Sequence, residues 1–328
     1  MANFAQFGND LHSGRKSFDI IGKRKLWYLI ALICIVLSIL VPVVKGGFNL
    51  GIEFRGGSEF RVSQLQDPKD KISDAEQTTN QVAPNSNPKV TTVGNDALVV
   101  QTDQLQDAQS QQLRQALSQK LNVPNDKVTS SFIGPTWGQD VTKSALRALV
   151  IFLLAVSLVM ALYFRTWKMS LAAILALLHD LILTAGIYAI TGFEVTPATV
   201  IGFLTILGYS MYDTVVVFDK IRENTRNLDS DMTRTFKDQV NLAVNQTLVR
   251  SINTSVVAVL PVASILFIGA FWLGAGTLKD ISLALFIGIL VGTYSTIFIA
   301  SPIYENLREN EPKIKAHDAQ VEHAAIQE

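Results

Sequence analysis

The sequence holds a single cysteine, Cys34, which excludes a disulfide framework within the chain and a thiolate metal cluster. It has four histidines and no ligand-spaced pair among them, so a metal site built from His179, Asp180 and Asp213 lacks support and no cofactor is expected. Charged residues make up only 17% of the chain, and 28 Lys+Arg are balanced by 28 Asp+Glu. Without a basic surplus, or a basic stretch interleaved with aromatics, nothing points to nucleic acid. A Gly-x-Gly-Asp acid pair and a Ser/His arrangement are also missing, so an intramembrane hydrolase is not expected and the chain reads as a non-enzyme.

What is abundant is apolar surface. Hydrophobic residues are 48% of the total, mean hydropathy is positive, and such values describe a membrane protein whose partners include lipid. Residues 1–25 form a polar segment with Arg15, Lys16, Lys23, Arg24 and Lys25 near its end, a cluster expected to stay in the cytoplasm. The first span is 26–44, about 28 Å of helix, with Trp27 and Tyr28 at one interface. No small-residue cleavage site follows it, so it reads as a retained anchor.

Residues 45–143 are polar and of mixed charge, the size of a small domain. Their pattern predicts strands at 48–54 and 59–65, a helix at 73–82, strands at 89–93 and 97–102, a helix at 105–121 and a strand at 127–133. This β-α-β-β-α-β order suggests an α+β ferredoxin-like domain outside the membrane.

Further apolar runs at 146–164, 171–190, 199–218, 255–273 and 281–300 bring the total to six transmembrane helices. Residues 144–301 thus form a five-helix transmembrane region with an inner loop at 219–250. Both termini are expected inside: the inner loops hold Arg165, Lys168, Lys220, Arg222, Arg226, Arg234 and Lys237, whereas the short outer turns hold only Lys279. Within the inner loop, 232–244 predicts an amphipathic helix with Phe236, Val240 and Val244 on one side, lying along the interface. The cytoplasmic tail, 302–328, is expected to end in disorder, because 308–328 is charged and lacks a periodic apolar face.

One residue stands out in the fourth span. Asp213 lies inside an otherwise apolar run, where a carboxylate near the span's centre costs roughly 2.5–3.5 kcal/mol and is a functional candidate by default. The alternative is an acid near the cytoplasmic end, hydrated by local water. Steps of three or four back from Asp213 give Tyr209 and Ser210, then Thr205 and Ile206, then Gly202, a polar and small face suited to packing against other helices. Ahead of the fifth span, Arg250, Asn253 and Thr254 share a helical face. Arg250 can reach Asp213 on the neighbouring span, holding it ionised when close and permitting protonation when apart; otherwise it snorkels to the headgroups. His179 and Asp180, midway along the third span, are a second polar pair, serving either a water path or a structural hydrogen bond. Gly288 and Gly292 on the last span suggest close helix packing.

The motifs Gly51-Ile52-Glu53-Phe54-Arg55-Gly56-Gly57, Ala176-Leu177-Leu178-His179-Asp180, the stretches 208–224 and 245–255, and Gly292-Thr293-Tyr294-Ser295-Thr296-Ile297-Phe298 resemble the SecF family of bacterial protein-export subunits, within the resistance-nodulation-division superfamily. The resemblance implies pairing with SecD, association with the SecYEG channel, indirect work with SecA on exported preproteins in the cytoplasmic membrane, and use of the proton-motive force. It also implies that Asp213 carries the proton and that Arg250 and Thr254 assist. Tyr212 stands where many relatives have Asn, and Ser251 where Thr is frequent. The competing readings are a proton-coupled small-molecule or lipid exporter acting as a homodimer, and a translocase scaffold that moves no protons.

Overall fold

The computed structural model describes residues 2–94, 96–164, 166–228, 233–270 and 276–327. Arg165, Met232 and residues 271–275, which the sequence reading places in an inner turn, at the start of the 232–244 helix and at the end of the fifth span, lie outside the described residues.

A short helix α1 (Ala2–His12) precedes α2 (Arg24–Lys45), whose end is set by Gly46 in the left-handed region (φ 83°), its N–H reaching back to the Pro42 and Val43 carbonyls. The expected strand at 48–54 does not form. Only Leu50 pairs, as an isolated bridge to Val195, and Ile52–Arg55 turns into a one-turn helix, α3. Gly51 N–H donates to the Val195 carbonyl at 2.9 Å, and Gly56 and Gly57 (φ 76° and 145°) re-aim the chain into the sheet. A Cβ on Gly57 would stand 2.4 Å from the Thr102 carbonyl oxygen, so that close approach requires glycine.

The small domain follows as β1 (Gly57–Val62), α4 (Ile72–Val82), β2 (Lys89–Val93), β3 (Ala97–Thr102), α5 (Asp107–Lys120) and β4 (Val128–Ile133). The sheet runs β2-β3-β1-β4 with every neighbouring pair antiparallel. Alternate residues Phe60 and Val62 on β1 and Leu98 and Val100 on β3 enter a core closed by Leu113 and Leu117 of α5. Each such side chain, fully buried, contributes about 1.5–3 kcal/mol.

The remaining chain is helical: α6 (Pro135–Phe164), α7 (Trp167–Thr191), α8 (Pro197–Asn224), α9 (Phe236–Ser264), α10 (Gly276–Ser295), α11 (Ser301–Arg308) and α12 (Pro312–Gln327). α9 continues through the π-helical turn Ile265–Ala270, and α10 joins α11 through another, Thr296–Ala300. Among the described residues, six helices are long and apolar enough to cross a membrane. α8 starts sharply, because the Thr196 hydroxyl accepts from the Thr199 N–H at 3.2 Å and Pro197 fills the first turn.

α8 and α10 approach closely through small residues. A Cβ on Gly202 would stand 2.6 Å from Ala284 Cβ, and one on Gly288 would stand 2.3 Å from Ile206 Cγ1. The glycines of the last span thus pack on the span that carries Asp213.

Two expectations are corrected here. Residues 236–244 do not form a separate interfacial helix. They are the first turns of α9, and Phe236, Val240 and Val244 are buried in the main helical core, with the Phe236 ring 6.3 Å from that of Tyr304. The apolar side found protein rather than lipid to cover it. The tail is also ordered: α12 buries Ile314, His317 and Val321 along one side, and the Phe236 N–H donates to Asp318 Oδ1 at 2.8 Å. Around its root, Lys168 Nζ lies 2.9 Å from Glu311 Oε1, and Arg24 pairs with Glu305 and Glu309.

Candidate intramembrane site

Asp213 sits past the midpoint of α8, 5% exposed. The hydroxyl of Ser251 on α9 donates to its Oδ1 at 2.8 Å, while Oδ2 has no hydrogen-bond partner among the described residues. Arg250 is exposed and forms no ion pair with Asp213, although its charge lies near enough to act on that carboxyl. Thr254 is half-buried with its hydroxyl donating to the Arg250 carbonyl at 2.8 Å, and Asn253 is exposed. Ser251 and Ser255 are buried one turn apart on the inner side of α9, so the stripe Arg250, Asn253 and Thr254 is turned outward from the chain's own core.

The other candidates fall into two short chains of polar contacts. Tyr209 Oη lies 3.4 Å from Ser255 Oγ, which lies 2.5 Å from Thr293 Oγ1 on α10. On the opposite side, the Ser210 hydroxyl donates to Asp180 Oδ2 at 2.5 Å, and His179 Nδ1 lies 3.2 Å from Asp180 Oδ1. The structure therefore joins Tyr209 to α9 and Ser210 to α7, although they are neighbours in sequence. Thr214 adds a third link, 3.1 Å from Thr296 Oγ1 in the last span.

Ser251 was visible only as a substitution within a motif, and spacing could not tell its side of α9 from that of Arg250. Thr296 appeared only as one member of the last-span motif, with nothing in the spacing to point it at Thr214. The docking of the amino-terminal segment was equally hidden: the Phe18 N–H donates to Asn245 Oδ1 at 2.8 Å, Asn245 Nδ2 donates to the Phe18 carbonyl at 2.9 Å, and Asn241 Oδ1 accepts from Ile20 N–H at 3.0 Å. A cleft of about 830 Å³ beside this segment reaches the polar seam at Ser255, Thr293 and Tyr294.

Where the small domain meets the helices, Lys89 Nζ donates to Asn49 Oδ1 at 2.8 Å and lies 3.9 Å from Glu194 Oε1. Burial pushes the Lys89 ammonium down from its ordinary value. Burial likewise pushes the Glu53 carboxyl up, and the nearby Glu194 charge adds to that shift.

Six long apolar helices and a four-stranded domain between the first two define a multi-pass membrane protein, in which one carboxyl is buried between α8 and α9. The family model described as "Protein export membrane protein SecD/SecF, C-terminal" matches residues 112–310, and the SecD/SecF GG motif matches 43–63. The chain is 44% identical over 318 residues to protein translocase subunit SecF of Streptomyces coelicolor, covering 96% of this chain and 83% of that one. It is 30% identical to protein translocase subunit SecDF of Thermus thermophilus, covering 91% of this chain but 40% of the relative. The crystal structure of SecDF, described as a translocon-associated membrane protein from Thermus thermophilus, superposes with a TM-score of 0.79 at 30% identity, over 90% of this chain and 39% of that chain. The chain thus spans about two-fifths of that structure. It belongs to the SecD/SecF family of protein-export membrane proteins, whose relatives are protein translocase subunits.

Proposed function

We propose that the chain is one half of a proton-coupled unit that promotes protein export, and that it works beside a SecD-type partner. The single observation that carries this reading is Asp213: a carboxyl on a span-length apolar helix, buried among its neighbours with one oxygen held by Ser251 and the other unpartnered among the described residues. An ionised carboxylate removed from water costs several kcal/mol unless a countercharge reaches it. Such a group is suited to exist charged in one arrangement and protonated in another, with Arg250 as the moving countercharge and Thr254 beside it.

The shape of α8 supports an incomplete bundle. Ile201, Thr205 and Tyr212 are exposed along one side, and a Cβ added to Gly208 on that side would meet nothing within 4 Å. Arg250, Asn253 and Val257 of α9 are exposed as well. A relative in which SecD and SecF share one name and one chain supports a SecD-type helix bundle as the cover. In this reading the protein resides in the bacterial cytoplasmic membrane with both termini inside. The β-α-β-β-α-β domain, ferredoxin-like in strand order, projects outside, where emerging preproteins leave a SecYEG channel fed by SecA. The coupling ion is the proton, and no other cofactor is needed.

Export into inverted membrane vesicles, measured with the proton gradient intact and collapsed, tests this. Asp213→Asn at unchanged protein level is expected to remove the gradient-dependent fraction and leave the rest. Unchanged gradient dependence would leave the scaffold reading, and recovery of the chain only as a homodimer after mild solubilisation would favour the small-molecule or lipid exporter.

A further inference from the structure

The His179–Asp180 pair is a buried titratable group that the Asp213 mechanism leaves unused. His179 stands at the midpoint of α7, 12 residues from each end, about 18 Å of helix either way. It is 4% exposed and Asp180 0%. Asp180 Oδ2 accepts the Ser210 hydroxyl at 2.5 Å, and Oδ1 faces His179 Nδ1 at 3.2 Å. With Nδ1–H donating, an ionised Asp180 has both oxygens satisfied and the imidazole keeps one lone pair, at Nε2. That atom is buried and has no partner among the described residues.

We infer that His179, Asp180 and Ser210 form a second proton-binding site, on the flank of α8 facing α7, with His179 Nε2 as the atom that takes up the proton. Neutral imidazole beside ionised Asp180 carries a net charge of −1; one proton on Nε2 makes an imidazolium–carboxylate pair of net charge zero. A buried pair of that kind is retained only where its groups are mutually hydrogen-bonded, and the Ser210 and Nδ1 contacts supply those bonds. The surroundings offer few competitors. α10 presents Tyr294, whose ring centre is 6.2 Å from that of His179, and α2 presents Cys34 near Tyr294. α8 presents Asp213 one turn beyond Ser210, and α6 carries no titratable side chain between Arg147 and Tyr163. Ser210 and Asp213 are three residues apart on one helix, so a rotation of α8 that changes one site changes the other.

The proton's role in export rests on the proposed function, but its binding does not. The full chain in lipid nanodiscs, labelled with 15N-histidine, has only four histidines to resolve, and His179→Gln assigns the relevant signal. The expected result is a change of the His179 nitrogen shifts from neutral to doubly protonated between pH 9 and 5, and loss of that transition in Asp180→Asn. The wild-type titration alone decides the matter if the variant fails to fold: a ring that stays neutral across the range makes the triad a structural hydrogen bond and overturns the inference. Repeating it in Asp213→Asn separates the two claims. A persisting His179 transition shows a site independent of Asp213, whatever export does.

Discussion

Ser251 on α9 meets Asp213 on α8 through a 2.8 Å hydrogen bond, while Arg250, the residue before it, is exposed and in no ion pair with that acid. The inward group is a neutral hydroxyl, and the cation waits on the outer side. Replacing the hydroxyl should therefore matter as much as replacing the charge. Ser251→Ala leaves a buried carboxyl without its partner, a loss of about 1–3 kcal/mol. The gradient-dependent export rate is expected to fall by about fivefold or more, and Ser251→Thr, which keeps the hydroxyl, is expected to restore it. Equal export by Ser251→Ala and wild type, read in vesicles at matched protein level, would show that Asp213 needs no such donor.

The two sides of α8 should respond differently to added bulk. Gly288 faces the β-branched Ile206, whose Cγ1, Cγ2 and Cβ would all lie within 3 Å of a new methyl group. Gly288→Ala is expected to destabilise the isolated chain by about 1–3 kcal/mol, the usual cost of overpacking, seen as a lower melting temperature in detergent. Gly208→Ala meets nothing within 4 Å and should leave that temperature unchanged. A larger Gly208→Leu is expected to reduce co-purification of a SecD-type partner. Normal pairing of that variant would move the interface elsewhere.

The amino-terminal segment should detach when its clamp is cut. Asn245 is fully buried and bonds both the N–H and the carbonyl of Phe18. Asn245→Ala is expected to strand the Phe18 N–H, while Asn241 Nδ2 still donates to the Phe18 carbonyl at 3.0 Å, at a cost of about 1–3 kcal/mol, and to speed protease cleavage near residues 13–18. Cleavage at the wild-type rate would mean that the clamp adds nothing.

Acid should act with opposite sign at two carboxyls outside the spans. Burial raises Glu53 in the folded state, so its protonated form binds the fold better and its contribution grows as pH falls through the raised value. Glu311 is held low, first by its hydrogen bonds to Arg308 and then by Lys168, so its contribution is present above the ordinary carboxylate range and lost as pH falls through the depressed value. Melting curves from pH 7.5 to 3.5 should show Glu53→Gln stabilised relative to wild type at neutral pH with the gap closing in acid. Glu311→Gln should be destabilised at neutral pH, with that gap also closing in acid. Parallel wild-type and variant curves across the range would contradict both.

Much of the fold was legible because its signals are local. Strands at Lys89–Val93 and Ala97–Thr102 follow from short runs rich in Val and Thr between turn residues, and long apolar runs have few meanings other than a membrane helix. The misread stretches are those where the neighbour decides. The segment 48–54 has strand-forming residues but is bent by contacts to Val195. The tail looked aperiodic because its buried side is Ile314, His317 and Val321, with a histidine in the middle.

The same division runs through the site. The sequence alone placed an acid in the fourth apolar run and polar residues before the fifth, because charge in hydrocarbon is costly and therefore rare. It could not say which side of α9 faces that acid, since 250, 253 and 254 and 251 and 255 both satisfy helical spacing. The rotation of each helix is fixed by distant residues in contact, above all the glycine approach of α10 to α8 and the packing of Phe236, Val240 and Val244 on the core. Only the assembled bundle turns Ser251 toward Asp213 and Arg250 away.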